Sequence, residues 1–320
     1  MTITRRHLVT ACVAFLSIMS FGSAALASPP KEIRLDWATY NPLSVVLKAK
    51  GFLEETLAAN GIKVRWVQSA GSNKALEFLN AGSLDFGSTA GAAALLGKIN
   101  GNPIKVVDIY SRPEWTALVT RHDSAITSPA DLKGKSVAVT RGTDAYVFLV
   151  RALADVGLTE KDVKLVLLQH ADGKLALLRG DVDAWAGLDP MMAAAELEAG
   201  ANLFYRRVEA NTWGTLCVRE AFAAEHPALV AHVMRAYEKA RAFAKENPAE
   251  LAALLAAATK LPTDVVARQL DRTDLNAFEL GAPQRESIAA AGQALLHAGI
   301  IKPGVDIGAA VDGLIDPKVN

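Results

Sequence analysis

The chain carries 34 basic and 34 acidic side chains among 320 residues, is 51% hydrophobic and has only two cysteines. This excludes a small scaffold stapled by several disulfides, and so high a hydrophobic fraction with 21% charged residues excludes intrinsic disorder. A formal charge of zero leaves no surplus of Lys and Arg to displace counterions, so DNA and RNA are not expected partners.

The first 27 residues read as a secretory signal peptide. Arg5-Arg6-His7 form a basic n-region, Leu8 to Leu26 is largely apolar, and Ala25-Leu26-Ala27 sets small residues before the polar Ser28-Pro29-Pro30-Lys31. Cleavage after Ala27 is expected, giving an exported, periplasmic chain; Arg5-Arg6 leaves both the general and the twin-arginine export routes open. Val9-Thr10-Ala11-Cys12 resembles a lipoprotein box but precedes the apolar stretch, so lipidation is not expected. Without the leader the chain has 32 basic against 34 acidic side chains, a charge of −2, and Cys217 alone, read as a buried small hydrophobe.

From Glu32 onward, short β-branched runs alternate with amphipathic stretches. Strands are predicted at 33–37, 63–67, 85–88 and 104–110, with helices at 43–60, 72–80 and 90–99 between them. A second series predicts strands at 116–120, 136–140, 163–168 and 183–186 and helices at 145–156, 174–179 and 190–199. This alternation implies parallel sheets with helices on both faces. Residues 215–218 form the last expected strand, after which Ala-rich helical periodicity runs from Glu220 to His297.

A lobe that has received its last strand but still has helices to place implies two crossings, one near Ser111 to Trp115 and a return near Trp213-Gly214. The expected fold class is therefore α/β: two doubly wound lobes joined by a two-strand hinge. Its divisions are a leader (1–27), a first lobe (28–113), a second lobe (114–213) and a mostly helical return to the first lobe (214–320). In such lobes ligands bind where strand carboxyl ends and helix N-termini converge.

The six histidines form neither HExxH nor a close pair with cysteine, so no metal or cofactor is expected. Gly134-Lys135-Ser136 looks like the tail of a phosphate loop, but Pro129 holds the opening glycine position and the segment runs from helix to strand; it is read as a turn. The chain lacks a GxSxG elbow and a GxGxxG after a strand, and it is not expected to be an enzyme.

The segments just after each predicted strand are rich in Ser, Thr, Asn, Gly, Tyr and Trp. Neutral donors beside helix N-termini suit a small oxyanion, because several amides converge on it and the helix dipole favours its charge. Trp37, Tyr40, Trp115, Tyr146 and Trp213 are candidate aromatic walls for an apolar tail.

Thr39, Tyr40 and Asn41 are candidate ligand residues in the first lobe, although Asn-Pro is equally a turn signal. Ser88, Thr89 and Gly91 offer hydroxyls and an amide, with Thr89 alternatively capping the next helix. Gly142, Thr143 and Tyr146 occupy the matching place in the second lobe. Asp189 before Pro190 reads as a helix cap or as the partner of a ligand ammonium. Trp115 and Trp213 flank the crossings and read as hinge packing or ligand walls; Arg112 and Arg141 are read as solvated, and His170 as a surface-loop residue.

Six segments carry a family resemblance: Leu47-Lys48-Ala49-Lys50-Gly51, Leu79-Asn80-Ala81-Gly82-Ser83-Leu84-Asp85-Phe86-Gly87, Asp131-Leu132-Lys133-Gly134-Lys135, Arg141-Gly142-Thr143, Gly180-Asp181-Val182-Asp183-Ala184-Trp185 and Leu188-Asp189-Pro190. In this order and spacing, from about Ile33 to Ala244, the chain resembles the periplasmic substrate-binding proteins of ABC importers for aliphatic sulfonates, within the nitrate, sulfonate and taurine group. The resemblance implies a type II periplasmic-binding-protein fold that closes on a small organic anion and presents it to a membrane permease, without catalysis; separately, a monomer is expected. Taurine, nitrate or a pyrimidine as cargo, a membrane kinase as client, and an exported hydrolase using the same cleft are the alternatives. Two departures stand out: Thr39-Tyr40-Asn41-Pro42-Leu43 replaces a glycine-rich loop, and Leu188 replaces a tryptophan usual before Asp-Pro. A smaller pocket mouth and the loss of one aromatic wall are expected.

Overall fold

The alternation of apolar runs and amphipathic stretches builds two sheets, seen in a computed structural model that describes residues 29–276 and 279–315. The predicted leader and its cleavage position lie outside the described residues. In the first sheet β1 (Glu32–Trp37) pairs in parallel with β2 (Lys63–Gln68) on one side and β3 (Phe86–Ala90) on the other. β4 (Ile104–Pro113) completes the outward run. The second sheet holds β5 (Thr116–Thr120), β6 (Ser136–Val139), β7 (Lys164–Leu167), β8 (Ala184–Leu188) and β9 (Asn202–Tyr205), in the order β7-β6-β8-β5-β9. The chain then returns as β10 (Gly214–Arg219), which inserts antiparallel between β3 and β4.

The sheets are thus mixed rather than parallel throughout. β10 runs against β3 and β4, and β5 runs against β8 and β9. A strand arriving from the other sheet enters at the hinge end, so it points opposite to strands that enter from the far side. The last expected strand is also not the last observed: β11 (Thr273–Asp274) adds a two-residue edge to β4.

Helices cover the sheets. The stretch predicted as one helix over 43–60 is α1 (Pro42–Lys50) and α2 (Phe52–Ala58), because Gly51 adopts φ 66°, a left-handed conformation that ends one helix and redirects the chain. α3 (Ser72–Asn80) and α4 (Gly91–Ile99) follow β2 and β3; α5 (Asp144–Ala154), α6 (His170–Arg179) and α7 (Met191–Ala199) follow β6, β7 and β8. The Ala-rich return is α8 (Glu220–Glu225), α9 (Pro227–Glu246), α10 (Pro248–Thr259), α11 (Thr263–Asp271), α12 (Ala282–His297) and α13 (Ile307–Leu314).

α9 lies on α1 and α2, and its buried Arg241 donates to the carbonyls of Ile109 and Tyr110 in β4. Two return helices reach beyond the first sheet. α12 packs on both α4 and α5, and Val265 of α11 clusters with Ala193 and Ala194 of α7. The two halves therefore touch through these return helices as well as at the double crossing. Among the described residues no helix is long and apolar enough to cross a membrane.

Candidate functional site

Four helices start around one cavity of about 200 Å³, two from each half of the molecule. Thr39 and Tyr40 lead from β1 towards α1, Ser69 and Ala70 from β2 towards α3, Gln169 from β7 into α6, and Asp189 and Pro190 from β8 into α7; all of them line it. Ala258 and Thr259 at the end of α10 complete the wall. Strand order makes this convergence: each of these helices follows a strand of its own sheet, and the double crossing turns the two sets of strand ends towards each other.

The four starts differ in how their amides are occupied. Asn41 Oδ1 accepts from Ser44 N at 3.2 Å and caps α1, while Asp189 Oδ1 accepts from Ala193 N at 2.9 Å at the start of α7. α3, entered through Gly71, and α6, entered through Gln169, have no side-chain cap. First-turn amides lack intrahelical acceptors, so these two starts carry the donors and the positive dipole ends best suited to an anion. They meet between the lobes. A Cβ built on Gly71 would lie 3.3 Å from the His170 ring and 2.8 Å from Asn73 Oδ1, so a bulkier residue at Gly71 would crowd this meeting point.

Burial sets the electrostatics. His170 is 4% exposed, neither ring nitrogen has a hydrogen-bond partner within the protein, and burial lowers its pKa to about 4, so the ring is neutral at pH 7. Burial pushes Asp189 up to about 7 against the opposing pull of Arg272 and the Ala193 amide. Behind the wall, Asp36 Oδ1 accepts from Ser88 N at 2.8 Å and Ser88 Oγ at 2.9 Å, and burial raises this carboxyl to about 6. Asn41 Nδ2 donates to Ser88 Oγ at 2.8 Å and Tyr40 OH to Ser88 O at 2.9 Å, which fixes the loop before α1 onto β3. Among the described residues no group of three or more His, Cys, Asp or Glu side chains is placed to hold a metal ion.

Of the residues singled out in the sequence, Thr39, Tyr40 and Asp189 line the cavity. Asn41 and Ser88 lie behind it in the Asp36 network, and Thr89 turns into the sheet, its hydroxyl 2.8 Å from Thr215 Oγ1, so it does not cap α4. Gly91 is covered by α12, where a Cβ would meet Ile288 Cγ1 at 2.6 Å. Thr143 bonds the Thr140 carbonyl, and Gly142 (φ 79°) sits against Asn73 beside the cavity rather than on its wall.

Of the expected aromatic walls Tyr40 lines the cavity, while Trp37, Trp115, Tyr146 and Trp213 do not. Tyr146 OH bonds Glu160, Trp115 Nε1 bonds Asp144 Oδ2 at 2.8 Å, and Trp213 stacks under Arg112 at the second crossing. Asp144 also accepts from Thr212 N and Oγ1, so this buried carboxylate braces the hinge. Leu188, Met191, Ala70 and Ala171 supply the rest of the apolar wall beside Tyr40. Missed in the sequence are Gln169 and His170 on the wall, and Gln269 and Arg272 behind it. Gln269 Nε2 holds the Thr39 carbonyl at 2.7 Å.

Residues 44–251 match the family model described as NMT1/THI5 like. The chain belongs to this family. This NMT1/THI5-like chain is 30% identical over 269 residues to an Escherichia coli (strain K12) protein named for aliphatic sulfonate binding, covering 83% of each. Among solved structures, the alkanesulfonate-binding protein SsuA from Xanthomonas axonopodis pv. citri bound to MOPS aligns with a TM-score of 0.80 at 26% identity, over 89% of this chain and 99% of that one. The periplasmic aliphatic sulphonate binding protein SsuA from Escherichia coli aligns with a TM-score of 0.74 at 26% identity, over 87% and 91%. The chain has the two-lobed α/β fold of these periplasmic binding proteins, as the resemblance implied.

Proposed function

We propose that this protein is an extracytoplasmic solute receptor that binds a short aliphatic sulfonate between its lobes and delivers it, unchanged, to the permease of an ABC importer. The observation that carries this reading is the meeting of the two starts without side-chain caps, α3 and α6, at one small cavity. A sulfonate is a permanent anion with three acceptor oxygens, so it draws on several first-turn amides at once. Leu188, Met191 and the three alanines of the wall fit a hydrocarbon tail. A volume near 200 Å³ lies below the roughly 300–1,000 Å³ of pockets for drug-sized ligands, which favours a tail of a few carbons.

The names of the relatives support the sulfonate class and a periplasmic location. Arg272 and the Ala193 amide both meet Asp189 at Oδ1, while Oδ2 has no hydrogen-bond partner in the protein, so taurine is the arm that tests an ammonium-bearing ligand. Binding by both lobes favours the closed arrangement, and a single closed chain is the form proposed to dock on the permease.

Calorimetry and thermal shift with methane-, ethane-, butane- and octanesulfonate, beside sulfate, nitrate, taurine and a pyrimidine, test this reading. Short sulfonates are expected to stabilise the protein, by about 2.7 kcal/mol at 100 times Kd, and to be recovered intact by mass spectrometry. Stabilisation by none of the sulfonates, or recovery of a reaction product, would sink it.

A further inference from the structure

The imidazole of His170 is the polar group of the cavity least accounted for by the fold. It opens α6, is almost wholly buried, lines the 200 Å³ cavity and leaves both ring nitrogens without a partner in the protein. A buried donor and acceptor left unpaired carry a desolvation cost, so such a group is expected to find its partner in what occupies the cavity. Its position is also where the lobes meet: a Cβ built on Gly71 of the first half would lie 3.3 Å from Cδ2 and Nε2 of the ring. Resting on the sulfonate reading above, we propose that His170 is a ligand-contacting, specificity-determining residue: it donates a ring N–H to an oxygen of the anion and takes up one proton from solvent as the anion seats.

The step balances, since an anion of charge −1 and a proton of charge +1 enter together and a second N–H bond forms on the ring. Burial without a counter-charge keeps the free ring neutral, and a buried anion in contact reverses that balance. Beside it on the wall, Gln169 Oε1 and Asp189 Oδ2 are also buried without a hydrogen-bond partner in the protein, but each is one atom of a side chain, whereas both nitrogens of the ring are unpaired. On the cavity wall Asp189 is the carboxyl, backed by Arg272 and Glu196, and the Tyr40 hydroxyl is bonded to Ser88 O. Asp36 lies behind Ser88, Arg141 and Asp172 line an adjoining recess, and Lys174 on the same helix pairs with Glu198. Asp189 is the competing proton acceptor.

Methanesulfonate is the probe, because its charge is fixed across the range used and any linked proton belongs to the protein. Its affinity is measured between pH 5 and pH 8 in buffers of differing ionisation enthalpy, for the wild type, Asp189→Asn, and Asp189→Asn with His170→Gln. In Asp189→Asn, binding is expected to tighten about tenfold or more from pH 8 to pH 5, with proton uptake approaching one per anion. Adding His170→Gln is expected to abolish both the slope and the uptake. Ring nitrogen NMR shifts of His170 in the wild type give a second reading that needs no variant: neutral when free, imidazolium when bound. Binding with a flat profile, a ring that stays neutral in the complex, or a slope that survives His170→Gln overturns the role of His170 alone. Failure of the folded wild type to bind methane-, ethane- or butanesulfonate at any of these pH values overturns the anion reading of the cavity as well.

Discussion

Arg272 Nη1 stands 3.5 Å from Asp189 Oδ1 while Nη2 of the same guanidinium bonds Glu196 Oε2, so one cation at the end of α11 holds two carboxylates of the opposite half. Arg268, one turn earlier, donates to the other oxygen of Glu196 at 2.7 Å. The two members of the buried pair are not equivalent. Replacing Arg272 by Met leaves Asp189 with its amide bond but no counter-charge, and removing one partner of a buried pair costs about 3–5 kcal/mol. Replacing Asp189 by Asn leaves Arg272 bound to Glu196 and keeps an oxygen for the Ala193 amide, so no buried charge is left without a partner and the expected cost is smaller. Urea unfolding of the two variants checks the order; Asp189→Asn as the more damaging change would refute the clamp.

Stability is expected to be higher near pH 5 than at pH 8. Burial raises Asp36 and Asp108 to about 6 and Asp189 to about 7, whereas unfolded aspartates titrate near 4. Between about pH 4 and pH 7 the folded chain therefore keeps protons that the unfolded chain has lost, and stability falls as pH rises through that window. His170 acts in the opposite sense. Its folded pKa of about 4 lies below the unfolded 6.5, so its contribution is full above 6.5 and is lost as pH falls towards 4. Asp131, Asp162 and Asp183 are held low by amide and hydroxyl donors, and their contribution is lost only below the usual aspartate range. Burial also raises Asp144, and four raised carboxyls against one lowered imidazole set the net direction. Melting temperatures at pH 5 and pH 8 and fixed ionic strength check it, and a protein more stable at pH 8 would contradict it.

Gly91→Ala separates packing from binding. The added methyl would stand 2.6 and 2.7 Å from Cγ1 and Cδ1 of Ile288, so α12 has to move or Ile288 has to change rotamer. Overpacking of this kind costs about 1–3 kcal/mol. Gly91 lies under α12 and off the cavity wall, so methanesulfonate affinity is expected to stay within about twofold of wild type. A loss of affinity larger than the loss of stability would return Gly91 to the binding site.

The sequence made the two lobes legible because strand and helix periods differ and because the second series of elements repeats the first. Both crossings were readable too, from a change of composition after Trp213. Strand direction was not, since a return strand has the same alternation whichever way it runs. Within the site, Thr39, Tyr40 and Asp189 were reachable from their place after a strand. Gln269 and Arg272 were not, because they reach the cavity region by tertiary packing of α11 and follow no strand of the sheets that carry the site. His170 reads as a surface residue for a related reason: nothing local distinguishes a histidine that faces solvent from one that the other lobe covers. Ser88 and Thr89 erred the other way, their hydroxyls being consumed inside the sheet by Asp36 and Thr215.

Cys217 offers a probe of how the molecule opens. It lies in β10 with no exposed surface, its Sγ is 3.2 Å from Thr89 Oγ1, and burial pushes its thiol up to about 12. A thiol this buried and this little ionised is inert until the sheet opens, so protein lacking residues 1–27 is expected to resist Ellman's reagent when native and to release one equivalent per chain in denaturant. β10 is the strand that returns from the second half, wedged between β3 and β4, so exposing Cys217 requires disrupting the centre of the first sheet rather than loosening the interlobe cavity. Methanesulfonate should therefore slow labelling only to the extent that it stabilises the whole fold, and Arg272→Met should speed it in proportion to its loss of unfolding free energy. Rapid labelling of the native wild type would show that the central strand opens on its own.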